Sequence, residues 1–517
     1  MEEISFPLKH EHVEVEAKKA DSTNSWEYHI AVLRNVPHLK EHDRNSLNVM
    51  AIMLDSYSHS NAKRKLKNYY SELEKDENAI LFNGHTVVGD GTTAQIAGQL
   101  TGMDELDLPE ARKGKPGADT VDKYRWIFKD AKKAGYMTVF AEEDVWTGTF
   151  NYRLKGFRDP PTDKYTRPFW LKAQAEQVRT HVSCLHTTSI RHAERVWDVF
   201  HDKRKLAWIL LGNCCHNGHT HNPDDELLKL KRNMEGKGYL NNTVLIVFGD
   251  HGIRIRKTLT EKLEERLVFF SMLFPPWFKT AHPEMFANLR MNRNILTSHY
   301  DVYPTLHHLM DLKRKDIPTF PVSKEGHSYS LLSDIAKHNR SCKTAGVRDH
   351  WCPCLNEEQL SVTSPVVVRI GELMVERMNG FLCANNEVCT LCSELKLSSV
   401  KMASRQVANQ DMLDFVETKH AADGNCDNCV FVKAKEKHVE RKFHYELTLE
   451  ALPSMGVFEI SAEVTMGSDG KSVESVSFNE KQVSRISRYG HEPDCISAKY
   501  ASLNGYCYCK DYKPAKS

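Results

Sequence analysis

Runs of apolar residues alternate with helical stretches between residue 48 and about residue 335. The apolar runs show no alternation of apolar and polar positions, as is typical of strands buried on both faces of a sheet. This order of elements predicts repeated strand–helix units and an α/β fold, a three-layer α/β/α sandwich. The predicted strands cover residues 49–54, 136–140, 206–211 and 243–249, and the predicted helices include residues 120–133 and 224–234.

Two of these predicted strands end in acidic residues. Asp55 follows residues 49–54, and Asp250, His251 and Gly252 follow residues 243–249. Open α/β sheets bind their ligands at the carboxyl ends of the strands, so these side chains are candidates for one cation site. The alternative is that each Asp is a turn or helix-cap residue whose side chain accepts hydrogen bonds from nearby backbone N–H groups.

A third element lies between the two strands. The segment Val88-Gly89-Asp90-Gly91-Thr92 leads into a predicted helix that closes at Leu100-Thr101-Gly102. Thr92 therefore follows a glycine-rich turn at a helix N-terminus, where backbone N–H groups and the helix dipole favour an anion. A hydroxyl beside a cation is also easier to deprotonate, which makes Thr92 a candidate nucleophile, with a plain helix cap as the alternative.

Further motifs accompany these residues. They are Val88-Gly89-Asp90, Gly238-Tyr239-Leu240-Asn241-Asn242-Thr243, Asp250-His251-Gly252-Ile253-Arg254, Leu263-Glu264-Glu265-Arg266, Pro275-Pro276-Trp277-Phe278 and Tyr506-Cys507-Tyr508-Cys509. In this order the motifs resemble the alkaline phosphatase and sulfatase superfamily. Within it, the chain is similar to the mostly extracellular family called domain of unknown function 229, from about residue 48 to residue 509. The resemblance implies an alkaline phosphatase type of α/β/α sandwich.

The resemblance also implies a metal site. Asp55, Asp250 and His251 would bind a divalent metal, zinc or manganese, and Thr92 would be both a ligand and the nucleophile. One metal is expected, with a second left open. In the same way, His216 and Arg254 are expected to donate hydrogen bonds to a substrate oxyanion, with a solvated loop histidine and a surface arginine as the alternatives. Two-metal members of the superfamily supply a late histidine ligand, but we expect His299 to cap its helix or to face solvent instead.

The residues after Thr92 decide between reaction classes. The phosphatase and phosphodiesterase branches carry the nucleophile in a Thr-Phe-Pro-Asn run, which corresponds here to Thr92-Thr93-Ala94-Gln95. Sulfatases instead need Cys or Ser in a Cys/Ser-x-Pro-x-Arg run, and nothing of that form begins at Thr92. We therefore expect a metal-dependent hydrolase of phosphate rather than sulfate esters, with a small ester or a glycan or lipid headgroup as substrate by analogy alone. The alternative is a secreted binding or matrix protein that keeps the fold without turnover.

Cysteines are concentrated in the last third of the chain. Of 14 cysteines in 517 residues, 11 lie between Cys342 and Cys509. This density favours a disulfide-stapled, β-containing domain, although Cys389-x-x-Cys392 and Cys426-x-x-Cys429 have a spacing that also suits zinc. The sequence thus predicts an N-terminal extension over residues 1–45, an α/β domain over 46–335 and a cysteine-rich domain over 336–517.

Charge and targeting signals bear on partners and location. The net charge is +1, so no global field favours nucleic acid. No stretch approaches the roughly 20 apolar residues of a membrane span. The N-terminus lacks a signal peptide, whereas the cysteines, the family and the sequons at Asn241 and Asn339 favour an extracellular or secretory location. We therefore expect a truncated or alternative N-terminus.

Overall fold

The structure is a computed structural model of the chain. It describes residues 12–18, 24–30, 36–113, 115–145, 148–175, 185–212, 223–253, 259–314, 319–322, 326–348, 351–353, 356–407 and 442–513. The chain divides into two compact units, Met1–Lys113 with Gly117–Pro353, and Gly114–Pro116 with Cys354–Ser517. The main part of the second unit thus begins later than the domain boundary predicted at residue 336.

The strands of the first unit are mostly short and buried. They are β1 (His12–Lys18), β2 (Asn24–Ile30), β3 (Asn48–Leu54), β4 (Ala79–Leu81), β5 (His85–Thr86), β6 (Met137–Glu142), β7 (Lys164–Tyr165), β8 (Lys205–Leu211), β9 (Thr243–Gly249), β10 (Phe270–Leu273), β11 (Thr297–Ser298), β12 (Phe320–Pro321) and β13 (His327–Ser328). β1 and β2 form an antiparallel pair in a region where the sequence shows no pattern.

Helices separate most of these strands. They are α1 (His59–Lys65), α2 (Lys67–Lys75), α3 (Gly91–Thr101), α4 (Ile127–Lys133), α5 (Arg167–Ala175), α6 (Leu185–Val199), α7 (Asp224–Gly236), α8 (Leu259–Arg266), α9 (Phe278–Ala281), α10 (Pro283–Asn292) and α11 (His299–Met310). In the part of the chain that the structure describes, no helix combines the length and the apolar character needed to span a membrane.

The first unit is built on a mostly parallel sheet. Among the described strands, seven form it in the order β4-β10-β9-β3-β8-β6-β7. β3 pairs in parallel with β8 and β9, and β6 pairs in parallel with β7 and β8. β10 is antiparallel to both β4 and β9. Parallel strands are normally covered by helices on both faces, and this sheet follows that rule.

Alternate side chains of β3 enter two separate apolar clusters. Ala51 and Met53 pack with residues of α3, α4 and α11 on one face of the sheet. Met50 and Ile52 pack with residues of α2, α6 and α7 on the other face. Every residue of β3 is buried, which explains why the run at residues 49–54 has no polar positions on alternate sites. These layers confirm the predicted α/β/α sandwich.

One predicted helix is shorter than expected. The sequence predicts a helix over residues 120–133, but α4 begins at Ile127, and only a short 3-10 turn precedes it. Trp126 lies between the two in an extended conformation, because its buried indole N–H donates to the carbonyl oxygen of Val121 at 2.8 Å. Burial of this large ring outweighs the local helix preference.

The second unit contains a β-sheet and three further helices among its described residues. Its strands are β14 (Asn356–Gln359), β15 (Lys396–Val407), β16 (Lys442–Leu452), β17 (Gly456–Met466), β18 (Val473–Ser477) and β19 (Val483–Arg485). Its helices are α12 (Pro365–Cys383), α13 (Asn386–Leu391) and α14 (Asp494–Ser497). The sheet order is β14-β15-β16-β17-β18, with β19 beside β17, and α12 packs on it through a common apolar core.

Disulfides staple this unit, as predicted. The described bonds in the second unit are Cys383–Cys389, Cys392–Cys507 and Cys495–Cys509, and Cys342–Cys352 lies in the first unit. Cys389 and Cys392 thus bind different cysteine partners instead of a shared zinc ion. Cys426 and Cys429 lie outside the described residues.

Candidate metal centre

Three side chains that the sequence predicts as metal ligands meet at the carboxyl edge of the central sheet. One ligand atom from each of Asp55, Asp250 and His251 lies within 4.8 Å of the other two. Asp250 is fully buried, and only 7% of Asp55 and 5% of His251 are exposed. Two buried carboxylates and an imidazole at this spacing form a ligand set suited to a divalent cation.

The pairing of β3 with β9 brings the two carboxylates together. The strands are parallel neighbours, and Leu54 pairs with Gly249 at their last position. Asp55 and Asp250 follow these residues directly, so they leave the sheet at the same level. Gly249 allows the turn after Asp55 to pack on the end of β9, since a Cβ atom there would lie 1.9 Å from the carbonyl oxygen of Tyr57.

The two carboxylate oxygens of Asp250 have different surroundings. Oδ1 accepts hydrogen bonds from the backbone N–H of Ser56 at 3.0 Å and of His251 at 2.8 Å. Oδ2 is buried and has no hydrogen-bond partner. A buried charged oxygen without a partner is costly in free energy, and a bound cation would compensate that cost. Oδ2 is therefore the atom that a metal would coordinate.

The ring of His251 presents a nitrogen toward the same point. Nδ1 lies 2.8 Å from the carbonyl oxygen of Gly252, which can only accept, so Nδ1 carries a proton and donates it. Nε2 lies 3.4 Å from Oδ2 of Asp250 and 4.0 Å from Oδ1 of Asp55. In a neutral ring Nε2 offers a lone pair, and a cation placed between it and the two carboxylates would be attracted by all three groups. The residues present thus fit a divalent metal.

A strained residue fixes both carboxylates. Ser56 has a φ of 63°, in the left-handed region that non-glycine residues seldom adopt. In this conformation its N–H donates to Asp250, and its Oγ donates to Oδ1 of Asp55 at 2.7 Å. Strain of this kind is concentrated at functional sites, where surrounding contacts maintain it.

Thr92 lies in the first turn of α3. Every other residue of this helix is buried, whereas Thr92 is partly exposed. The segment that leads into α3 and the segment that follows Asp250 bind adjacent backbone carbonyl groups. The N–H of Val87 donates to the carbonyl oxygen of Arg266 at 3.0 Å, and the N–H of Gly252 donates to that of the preceding Glu265 at 2.9 Å. The segments that precede Thr92 and follow His251 therefore pair with consecutive residues, 265 and 266.

A buried acid at the end of β6 is joined to α3 through Thr149. Oε1 of Glu142 accepts from the backbone N–H and from the hydroxyl of Thr149, each at 2.6 Å. The carbonyl oxygen of Thr149 accepts from the hydroxyl of Thr93 at 2.8 Å. Burial raises the pKa of Glu142 to about 7, although the hydrogen bonds from Thr149 and the charge of Arg167 act to lower it.

The prediction for His299 is wrong. This residue begins α11 after the N-cap Ser298 and is fully buried, so it does not face solvent. Burial lowers the pKa of His299 to about 4, and the ring is therefore neutral near pH 7. Its Nε2 lies 2.9 Å from the carbonyl oxygen of Asp250. The structure thus places His299 in the interior beside the ligand set and not at the surface.

Two predicted site residues, His216 and Arg254, lie outside the residues that the structure describes. Their role as donors to a substrate oxyanion stays a prediction, as does a second metal. Ser56 and His299 support the ligands but were not predicted to do so. A strained φ and a contact between distant segments leave no local pattern in a sequence.

The fold and the site define a mixed α/β protein with a candidate metal centre at the carboxyl edge of its sheet. Residues 3–401 match the family model described as Protein of unknown function (DUF229). The chain belongs to this family, which confirms the resemblance found in the sequence. No curated protein matches the chain.

Several solved structures are similar to this chain. The C-terminal periplasmic domain of EcEptC from Escherichia coli, in complex with Zn, is 15% identical, with a TM-score of 0.40 and coverage of 59% of this chain and 91% of that chain. The lipoteichoic acid synthase LtaP from Listeria monocytogenes is 14% identical, with a TM-score of 0.35 and coverage of 59% and 78%. The PsFucS1 sulfatase from Pseudoalteromonas sp. is 14% identical, with a TM-score of 0.36 and coverage of 51% and 67%. Likenesses of this size carry no conclusion about the reaction.

Proposed function

We propose that the protein is a metal-dependent enzyme that cleaves or transfers phosphate esters through Thr92. The observation that carries this proposal is the convergence of ligand atoms from Asp55, Asp250 and His251, with Oδ2 of Asp250 buried and without a hydrogen-bond partner. Together these side chains form a buried, anionic ligand set that zinc or manganese would neutralise.

In the proposed reaction, Asp55, Asp250, His251 and Thr92 would hold the cation. When bound, the cation supplies positive charge that neutralises the ester oxygens and lowers the pKa of the Thr92 hydroxyl. Oγ1 of Thr92 attacks phosphorus, so an Oγ1–P bond forms while the P–O bond to the leaving group breaks. The hydroxyl proton passes to solvent, and the leaving oxygen takes a proton from solvent. Water, or a second alcohol, then attacks phosphorus, so a new O–P bond forms while the Oγ1–P bond breaks. Phosphate or the new ester leaves, the attacking oxygen loses its proton to solvent, and Oγ1 of Thr92 takes a proton from solvent.

The start of α3 supports the binding of an anionic ester. The first N–H groups of a helix have no partner within the helix, and the dipole favours negative charge there. Asp90 occupies the N-cap but makes no side-chain cap hydrogen bond. Its carboxylate instead lies 3.4 Å from the guanidinium of Arg153. The proposal assigns the N–H groups around Thr92 to a phosphate oxygen.

We further propose an extracellular substrate, a small phosphate ester or one on a glycan or lipid headgroup. Disulfides such as Cys392–Cys507 are typical of oxidising compartments. The net charge of +1 provides no field for nucleic acid. In this proposal His216 and Arg254 donate to the substrate oxyanion. Phosphate is preferred to sulfate because Thr92 stands where a sulfatase needs Cys or Ser.

A specific observation supports a second function, that of a binding protein without turnover. Gln95 stands where the phosphatase branches carry Asn, and its side chain is used within the protein. Oε1 accepts from the N–H of Val88 at 2.8 Å, and Nε2 donates to the carbonyl oxygen of Gly89 at 2.6 Å. Gln95 is also fully buried. It therefore stabilises the turn before Thr92 and does not contact a substrate.

Substitution of Thr92 separates the two functions. We expect Thr92→Ala to lower kcat for aryl phosphate monoesters or diesters by roughly 10³-fold or more, because the nucleophile is lost. Thr92→Ser keeps a hydroxyl and should retain measurable turnover. The assay uses the full chain from an oxidising host with zinc or manganese added, and aryl sulfates serve as the comparison substrate.

The outcomes have distinct meanings. Metal-dependent turnover by wild type and Thr92→Ser, absent in Thr92→Ala, supports the enzyme. Metal binding by a folded wild type that turns over none of the esters favours the binding protein. A folded wild type that binds neither metal rules out the metal centre itself.

A further inference from the structure

Both ring nitrogens of His299 are engaged in the protein interior. Nε2 lies 2.9 Å from the carbonyl oxygen of Asp250. On the other side, Nε2 of Gln99 lies 2.6 Å from Nδ1 of His299. A second buried imidazole, that of His85, approaches the same Nδ1 at 3.4 Å and is itself 3.0 Å from the hydroxyl of Thr297. The ring is therefore part of a series of buried polar side chains that also includes Gln99, His85 and Thr297.

These contacts select one tautomer of the ring. The carbonyl oxygen of Asp250 can only accept, so Nε2 of His299 carries the proton and donates it. Nδ1 then holds a lone pair, which the amide N–H of Gln99 satisfies. A neutral ring with both nitrogens satisfied can be buried without an unpaired polar atom. The same ring could not be replaced by an apolar side chain without leaving a donor or an acceptor unpaired.

The hydrogen bond from His299 completes the fixation of Asp250. Two backbone N–H groups hold Oδ1 of Asp250, and His299 holds its carbonyl oxygen. The peptide group after Asp250 therefore cannot rotate without breaking the bond to the ring. With the main chain and Oδ1 both held, Oδ2 keeps one direction, toward Nε2 of His251.

The ring also connects Asp250 to the helix of the proposed nucleophile. Gln99 lies on α3 seven residues after Thr92, two helical turns further along the same face. One imidazole thus contacts both the strand end that carries a ligand and the helix that begins with the nucleophile. We infer that His299 is a positioning residue that sets the place of Asp250 relative to Thr92 and so the affinity of the centre for its metal. This inference rests on the proposed function, because it concerns the same site.

The competing explanation is that His299 is only a polar residue of the core. In that case its loss would lower stability without a separate effect on metal binding. His308 provides a matched control, because it lies on the same helix, is 2% exposed, and has Nδ1 3.0 Å from the hydroxyl of Ser330. It belongs to the same structural class of buried helix histidine, but its hydrogen bond does not reach the ligand set.

The experiment compares His299→Leu, His299→Gln and His308→Leu in the full chain. Each metal-free protein is titrated calorimetrically with zinc and with manganese, and its melting temperature is measured. We expect His299→Leu to weaken metal binding by about 10- to 100-fold, as is usual when a residue that orients a ligand is lost. His299→Gln keeps an amide N–H near the position of Nε2, so its affinity should recover to within a few-fold of wild type. His308→Leu should lower the melting temperature but leave metal affinity unchanged.

Failure of the inference is distinguishable from failure of the proposed function. If wild type binds neither metal, the metal centre is wrong and the inference fails with it. If wild type binds metal and His299→Leu binds it equally well, the inference alone is overturned. Equal losses in the Leu and Gln variants overturn the role of the Nε2 donor. If His299→Leu does not fold, His299→Gln and Gln99→Met are compared with wild type in its place. A Gln99→Met variant that has both the metal affinity and the kcat of wild type would overturn the connection between His299 and α3.

Discussion

Hydrogen bonds compensate only part of the charge of Asp250. Oδ1 has two N–H donors, whereas Oδ2 has no hydrogen-bond partner and lies 3.4 Å from Nε2 of His251. In Asp250→Asn, Oδ1 keeps its donors, and an amide N–H replaces Oδ2 next to Nε2 of His251. We expect this variant to melt a few degrees higher than wild type in the presence of a chelator. Zinc or manganese should raise the melting temperature of wild type but not that of the variant.

A second buried aspartate controls for the loss of charge itself. Asp301 is fully buried but compensated, since it forms an ion pair with Arg340 and accepts from the N–H of Ser298 at 2.8 Å and of Tyr329 at 2.9 Å. Asp301→Asn should therefore lower the melting temperature. If Asp250→Asn melts at a lower temperature than wild type in the presence of a chelator, the uncompensated charge of Oδ2 does not destabilise the metal-free protein.

Individual ligands could be predicted from the sequence, but their atoms' roles could not. Asp55 and Asp250 each follow an apolar strand, and parallel strands end at the same edge of a sheet. Oδ1 of Asp250 accepts hydrogen bonds whereas Oδ2 has no partner, and this difference depends on Ser56, which is 194 residues away in the chain. A contact of that kind is set by the folded backbone alone.

The junction of β3 and β9 depends on the absence of a side chain at Gly249. A Cβ atom there would lie 1.9 Å from the carbonyl oxygen of Tyr57, which is backbone and cannot rotate away. We expect Gly249→Ala to lower the free energy of unfolding by about 3 kcal/mol or more, and to weaken metal binding, because β9 and the turn after Asp55 must separate. Chemical denaturation and metal titration measure the two effects.

The matched control is Gly236→Ala at the end of α7. A Cβ atom at Gly236 meets no atom within 4 Å, so alanine there should be neutral or stabilise the protein by roughly 0.5–1 kcal/mol. Equal stabilities of the two variants would show that β9 and the turn after Asp55 can separate without cost.

The buried Glu142 in the link from β6 to α3 predicts that the stability of the fold depends on pH. Since burial raises the pKa of Glu142 from 4.5 to about 7, the folded protein holds a proton in this range that the unfolded chain releases. Stability should therefore fall as pH rises from about 4.5 to about 7. Glu142→Gln removes this loss, so its melting temperature, measured with a chelator present, should match wild type near pH 4.5 and exceed it at pH 8.

Glu74→Gln, a substitution at an exposed position of α2, should show no such difference between the two pH values. If Glu142→Gln and wild type keep the same difference in melting temperature across the range, Glu142 does not titrate where its burial predicts.

Elements with a continuous apolar pattern were predicted well. The run at residues 243–249 coincides with β9, and the run at 206–211 differs from β8 by one residue. The antiparallel strand β10 was not predicted, because its four residues are too few to show a period. Its position depends on pairing with β9 and β4, which local sequence does not encode.

For the whole molecule, the sequence predicts a cysteine-rich region joined to an α/β domain, whereas the pairing of the cysteines required the fold. Cys392 and Cys507 are 115 residues apart, and many pairings satisfy the same spacing. The metal ligands belong to the first unit, and three of the four described disulfides belong to the second. Metal binding and disulfide stability should therefore be separable.

Reduction tests this separation. Opening the Cys392–Cys507 loop removes a constraint worth about 4–5 kcal/mol for a closed segment of this length, so a reductant should lower the melting transition of the second unit by several degrees. The affinity for zinc or manganese should stay unchanged, because Asp55, Asp250 and His251 are held by β3 and β9. The double variant Cys342→Ser/Cys352→Ser removes the described disulfide of the first unit and controls for its reduction. Calorimetry with and without reductant measures both effects. If reduction weakens metal binding by wild type, but the double variant binds metal as tightly as unreduced wild type, then the second unit contributes to the site.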